Sequence, residues 1–421
     1  MHMAAPGSPT LLIEHLDQLY PIAGLAPRAG ARQGGVAPLA DGAVACVGAA
    51  IVAVGPTDVV RAQVSVTGET RVIDGRGRSL VPGFVDAHTH VVFAGERRDE
   101  LRRRLAGATY AEIAAAGGGI LSTVYATRAA SEDELAAATR PRLAEMLGAG
   151  TTTCEAKSGY GLDMETELRM LRVIRRLSGE QPVEIVATFM GAHDVPPEFR
   201  GRQAEYVRFV VEQVLPRAAP LAEWCDVFCD RGFFTPDESR TLLAAGRAVG
   251  LKPRIHADEL AASGGSAVAA GVGARSADHL IHIPPAGIAA LAGAGVVATL
   301  LPSAAFFLKL GRFAPARDLI AAGVPVALAT DVNPGGGFSP SMPFTMALAC
   351  FAMDLTFEEA LVAATINGAA SIDRQDTIGS LEAGKQFDAV LVDGPAINLL
   401  RVSAASIRAV FKRGQCVHGA C

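Results

Sequence analysis

From residue 81 onward, short apolar runs alternate with longer stretches of helical period. The runs VPGFVDAH (81–88), TTTCEA (151–156), VEIVATFM (183–190), CDVFCD (225–230) and KPRIHA (252–257) read as strands, followed by SADH (276–279), GVVATLL (295–301) and PVALATD (325–331). Segments 163–178, 200–215, 236–249, 264–271, 286–294 and 357–370 read as helices. Strands that are apolar along their length, rather than at alternate positions, belong to a parallel sheet covered by helices. Eight of them in this rhythm predict an α/β fold, a closed (β/α)8 barrel of the TIM type. An open dinucleotide-binding sheet fits less well, because GAGTTT (148–153) precedes its strand where a phosphate-binding turn would follow it.

The two ends have a different texture. VACVGAAIVAVG (44–55) and TRVIDGRG (70–77) on one side, and KQFDAVLV (385–392) and SIRAVFKRGQCV (406–417) on the other, are short β segments punctuated by glycine. The expectation is that both ends meet in one small composite β-sandwich. Residues 1–80 and 380–421 would build it, leaving 81–379 as the barrel.

Charge narrows the function classes. Lys and Arg total 38 against 43 Asp and Glu, and no basic block stands out, so neither nucleic acid nor an anionic membrane is an expected partner. No basic-then-apolar leader opens the sequence, and no apolar run approaches the roughly 20 residues that span a bilayer; the expected location is cytoplasmic. The seven cysteines are odd in number and scattered, which argues against a secreted disulfide framework. Cys225 and Cys229 read as small buried residues rather than a zinc pair.

The polar residues that interrupt the apolar runs carry the chemistry. Asp86-Ala87-His88-Thr89-His90 closes the first barrel strand, and residues two apart in extended chain share a face. His256 closes the fifth strand, His279 the sixth and Asp331 the eighth, while His193 lies just past the third. Such groups are costly to bury singly, and a shared cation on the rim where barrel enzymes place their chemistry satisfies them together. His88, His90, His256 and Asp331 supply three nitrogens and one oxygen for one divalent metal, Zn2+ or Fe2+, with water completing the set. A second metal would call for a bridging lysine or carboxylate. The fourth strand ends in Cys229-Asp230, and Lys157 follows the second.

A metal-activated water suits hydrolysis of an amide, amidine or imine-like bond. Asp331 is placed to orient that water and His279 to hydrogen-bond it. Glu259, three residues after His256, is placed to carry its proton, although an acidic helix start explains it too. Arg97 is a candidate clamp for a substrate carboxylate, with a solvated arginine as the plainer reading. Tyr110 and Tyr160 sit beside glycine-rich turns and offer rings to cover a planar substrate. His193 is a candidate for a substrate carbonyl. Asn333 stands in an Asn-Pro-Gly turn that also explains it without a ligand.

These residues lie in blocks that together resemble the imidazolonepropionases of the amidohydrolase superfamily: DAHTHVVFAGER (86–97), YAEIAAAGGGI (110–120), EAKSGYGLD (155–163), GAHDVPPEF (191–199), IHADE (255–259), SADHL (276–280), LLPSAAFFL (300–308) and ATDVNPG (329–335). The HxH pair and the late Asp mark only the superfamily; KSGYGLD with GAHDVPPEF and HADE is far more specific. The resemblance implies hydrolytic opening of 4-imidazolone-5-propanoate to N-formimino-L-glutamate by a homodimer. It implies metal ligation by His88, His90, His256 and Asp331, proton transfer by Glu259, and a water partner in His279. It also places Arg97 at the substrate carboxylate, with Tyr110, Tyr160, His193 and Asn333 in the pocket. Ile281, after the DHL motif, and Phe338, beside the glycines 335–337, depart from the expected pattern. The rival readings are a ring deaminase of the same superfamily, which would expel ammonia, and a metal-binding scaffold with no activity.

Overall fold

The computed structural model describes residues 8–108, 112 and 117–421. Eight parallel strands follow one another in chain order: β1 (Phe84–Asp86), β2 (Thr151–Lys157), β3 (Glu184–Ala192), β4 (Trp224–Cys229), β5 (Ile255–Ala257), β6 (Ser276–His279), β7 (Val297–Leu300) and β8 (Val326–Leu328). Every residue in them except Glu184 is buried. This explains why the sequence reads as unbroken apolar runs. Helices cover the outside, several with starts written in the sequence. Ser131 and Glu134 cap Glu132–Gly148, and Thr235 and Glu238 cap Pro236–Ala248, each through a reciprocal capping box.

The seam between β8 and β1 is closed by side chains and loop backbone rather than by a strand ladder. Asp86 accepts hydrogen bonds from Thr330 N at 2.9 Å and Thr330 Oγ1 at 2.6 Å. Just beyond, Asp331 N donates to His88 O and His90 N to Val332 O. On the far side, the wholly buried amide of Gln33 takes a strand's place, donating to Val326 O and accepting from Val326 N at 3.1 and 3.0 Å.

The chain ends do meet. Leu11–Leu16, Gly42–Val47, Ala50–Pro56 and Arg71–Asp74 form one sheet. A second sheet interleaves both ends: Arg78–Pro82 pairs with Gln18–Leu19 and, antiparallel, with Ala389–Asp393, which leads on to Ile407–Lys412 and Gln415–Gly419. Leu11, Ile13, Val44 and Cys46 from the first sheet share one apolar core with Leu80, Leu391 and Phe411 from the second, so the two layers form a sandwich. Cys416 and Cys421 are joined by a disulfide, while Cys225 and Cys229 are free and buried. Among the described residues no helix is long and apolar enough to cross a membrane.

Three sequence expectations are refined. The run 81–88 is two strands, because at Gly83 the chain passes from the sandwich into the barrel, where a Cβ would stand 2.3 Å from Thr152 Oγ1. The helix expected over 200–215 begins at Gln203, loosens into a π-turn at Val210–Val214 and resumes at Leu215. Pro216 there has no N–H to continue the regular ladder. The helix expected over 357–370 breaks at Thr365, so that Ile366–Ser371 can approach β1 closely enough for Gly368 to lie against Val85 O.

Candidate active site

His88 and His90 lie just past the end of β1, His256 within β5, and Asp331 in the turn after β8; all four are buried. Asp331 and His279 hold left-handed backbone, φ 53° and 73°, which turns the chain sharply at the strand ends. His90 Nε2 and His256 Nε2 are 3.4 Å apart, and Asp331 Oδ1 is 3.6 Å from His88 Nε2 and 3.7 Å from His90 Nε2. Two ligands each about 2.1 Å from a tetrahedral centre stand about 3.4 Å apart, so these spacings are those of donors converging on one ion. His88 Nε2 and Asp331 Oδ1 are also buried without a hydrogen-bond partner, the state expected of ligand atoms. The donor set fits a single divalent cation, and nitrogen with carboxylate oxygen suits zinc or ferrous iron.

Electrostatics agree with that fit. Burial, then the charges of neighbouring Lys157 and His256, holds His88 well below the usual imidazole range; burial and His193 do the same for His90. The rings are therefore neutral, the form that ligates. Burial pushes the Asp331 carboxyl up to about 8, a bias toward neutrality that an adjacent dication opposes.

A cavity of about 460 Å³ opens over the cluster, lined by His90, His256, Asp331, Glu259 and His279, and also by Arg97. Glu259 is buried, with Oε2 3.6 Å from His279 Nε2. Burial, reinforced by the Asp331 and Asp230 carboxylates, raises its pKa well above the ordinary value, a shift toward the protonated form that suits a group passing protons. Asp230 Oδ2 accepts from the backbone N–H of Glu259 and Leu260 at 2.8 and 2.7 Å, fixing the turn that carries Glu259. Neighbouring Asp258 instead accepts from the N–H groups of residues 263–266 at the start of the helix Gly265–Val272 and supports that loop.

The remaining candidates divide. Arg97 is buried and donates from Nε and Nη2 to Glu100 Oε2 at 2.9 and 2.7 Å; its Nη1 edge faces Gly335. Tyr160 is buried beside His90 and His193, ring centroids 5.7 and 5.2 Å away. His193 stacks on His90 and donates from Nδ1 to Gly159 O at 3.0 Å. Burial, with His256 nearby, pushes it down to about 3, so the ring is neutral and its Nε2 is an acceptor. An acceptor suits a substrate N–H, not the carbonyl expected from the sequence. Asn333 lines the cavity, but its Oδ1 accepts from Gly335 N and Gly336 N and its Nδ2 donates to Asp331 O, so the turn uses most of its capacity. Tyr110 lies outside the described residues.

Sequence reasoning missed a layer below the site. Lys157 does not bridge metals; it is wholly buried among Glu155, Asp226 and Asp278. Burial lowers its affinity for a proton, but Asp226 and Glu155 outweigh that and raise its pKa. Arg104 is a further cavity residue that the motifs do not single out: it lines the cavity and donates from Nη1 to Phe307 O and Gly335 O at 3.1 Å each.

Residues 110–418 match the model of the amidohydrolase family. The chain is 51% identical over 338 residues to an imidazolonepropionase of Porphyromonas gingivalis, covering 80% of each. It is 48% identical over 390 residues to that of Geobacillus kaustophilus, covering 91% of this chain and 92% of the other. Among solved structures it is similar in fold to a zinc-bound adenosine deaminase from Xanthomonas campestris, with a TM-score of 0.70 at 21% identity over 98% of this chain and 93% of the other. It is likewise similar to atrazine chlorohydrolase from Arthrobacter aurescens with zinc, with a TM-score of 0.71 at 18% identity over 97% and 95%.

Proposed function

Since the chain belongs to the amidohydrolase family, and within it to the imidazolonepropionases, we propose that it opens the ring of 4-imidazolone-5-propanoate hydrolytically to N-formimino-L-glutamate. The observation that carries this reading is one cavity lined by histidines of the donor cluster, a buried carboxyl group and an arginine. An adenine- or triazine-type substrate has no carboxylate for that arginine.

His88, His90, His256 and Asp331 would hold one zinc or ferrous ion. When bound, it brings the pKa of a coordinated water toward neutrality. Asp331, beside His88 and His90, also orients that water. Glu259 moves a proton between the water and the ring nitrogen that leaves, and the Nε2 of His279, 3.6 Å from it, steadies the oxygen that gains charge. Arg97 binds the propanoate through the Nη edge that Glu100 leaves open. Neutral His193 accepts a ring N–H at Nε2, and Tyr160 covers the ring's face. Asn333 contributes its remaining amide hydrogen, and Tyr110 belongs to the same pocket by its motif. The barrel, 81–379, carries the chemistry, and the residues of 1–80 and 380–421 support it. Family membership also supports a homodimer acting in the cytoplasm on a small carboxylated molecule, with no nucleic acid or membrane partner.

The deciding experiment is product analysis on freshly generated imidazolone propanoate with protein of measured metal content. Gain of one water with all nitrogen retained supports ring opening. Release of ammonia with the ring intact refutes it in favour of a deaminase.

A further inference from the structure

Beneath the donor cluster runs a fully buried layer of charge that the proposed reaction does not use. Lys157, at the end of β2, places Nζ 2.7 Å from Asp226 Oδ2 and 2.8 Å from Glu155 Oε1. Asp226, on β4, turns its other oxygen to His256, 3.1 Å from Nδ1 and 3.2 Å from the backbone N. Arg254, just before β5, donates from Nη2 to Asp278 Oδ2 at 3.1 Å and to Ala87 O at 2.6 Å. That same Asp278 oxygen, from β6, lies 2.7 Å from His88 Nδ1. Two relays of cation, carboxylate and imidazole therefore climb from different strands and end at neighbouring ligand nitrogens. All six side chains are buried from solvent.

A carboxylate oxygen can only accept, so each imidazole must carry its hydrogen on Nδ1 and present a lone pair at Nε2. A carboxylate placed this deep needs a fixed positive partner, or it would be expelled from the barrel. We propose that Lys157 and Arg254 are positioning residues, holding Asp226 and Asp278 as the acceptors that lock His256 and His88 into the metal-binding tautomer. Lys157 matters although it touches no metal ligand, because it is the cation in direct contact with the Asp226 carboxylate, while Arg254 adds a further positive charge that acts on it. The inference rests on the ligand set proposed above.

The test uses the full-length apo protein. Zinc affinity is read by competition with a chromogenic chelator, histidine tautomers by long-range nitrogen–proton NMR, and folding by circular dichroism and thermal unfolding. The variants are Lys157→Met, Asp226→Asn and the charge-balanced pair Lys157→Met/Asp226→Asn. The pair keeps the net charge of the buried layer, at the cost of the Lys157–Glu155 contact, and should fold, yet bind zinc about 10- to 100-fold more weakly, with the single Nδ1–H signature of His256 replaced by a mixture. A purely structural role predicts the reverse: affinity recovers in the pair together with stability. Wild-type affinity and tautomer in the folded pair overturn the proposal. If Lys157→Met alone fails to fold, the pair still decides. If the wild type binds no zinc, the ligand set is wrong, and the apo tautomer spectrum judges the positioning role separately.

Discussion

Gly335→Ala isolates the arginine clamp. A methyl group on Gly335 would stand 2.2 Å from Arg97 Nη1 and 2.5 Å from its Cζ, far inside van der Waals contact. The guanidinium cannot simply retreat. It is buried, two of its nitrogens are bound to Glu100, and Glu100 is itself held by Gly119 N at 2.9 Å. Nor can the loop give easily, because Asn333 Oδ1 grips both Gly335 N and Gly336 N. Gly335 is not among the residues with left-handed backbone, so alanine brings no conformational strain of its own. What is lost is the alignment of one charge-assisted hydrogen bond to the substrate carboxylate, about 1.5–3 kcal/mol, or about a 10- to 150-fold rise in KM. The clamp grips the propanoate rather than the reacting bond, so kcat should hold, the pattern of a contact made equally in ground and transition states. Steady-state kinetics on metal-quantified protein measure both constants. In an Arg97→Met background the alanine should add nothing further. A folded Gly335→Ala protein with wild-type KM, or one whose kcat falls while KM stays, refutes the clamp.

Glu259→Gln keeps size and hydrogen-bonding shape but cannot pass a proton; turnover should fall about 100- to 10,000-fold while zinc content by elemental analysis stays near wild type, and undiminished turnover would remove Glu259 from the chemistry. Burial raises Asp194 to about 6, so between about pH 4 and that value the folded chain keeps a proton that the unfolded chain has released, and stability falls as pH rises through the window. Asp194→Asn should delete up to about 1.4 kcal/mol per pH unit of that slope in paired urea titrations, and parallel curves for the two proteins would contradict it. Gln33→Ala strands the Val326 N–H at the barrel seam and should lower stability by about 1–3 kcal/mol in chemical denaturation; no change would mean that water replaces the amide.

The barrel strands were legible because burial on both sides removes the polar alternation that normally marks a strand, leaving runs that stand out. His88, His90, His256 and Asp331 stand out for the opposite reason: they are polar residues at the ends of such runs, and the fold gathers the three histidines and sets Asp331 beside His88 and His90. The relay below them was hidden by its position inside the runs. Glu155 and Lys157 are two apart on one strand, a charged pair on the same face of an otherwise apolar segment, and that pattern was available as a warning. Asp226 and Arg254 could be paired with nothing from sequence alone, since their partners lie on other strands. The hydrogen-bond sense of His193 depended on the Gly159 carbonyl 34 residues away. Helices such as Glu132–Gly148 escaped notice although Ser131 and Glu134 announce its start, because its apolar positions follow no clear stripe.

Threading the sandwich through both chain ends sets a timetable for synthesis. Arg78–Pro82 leaves the ribosome early, but its partner Ala389–Asp393 follows roughly 300 residues later, about 15 to 60 seconds at ordinary elongation rates. Through that interval one edge of the early strand, carrying Leu80 and Val81, stays open to any extended segment nearby. The nascent barrel therefore matures beside a half-made layer, and a chain cut short before Ala389 leaves that strand edge open to pairing with its neighbours.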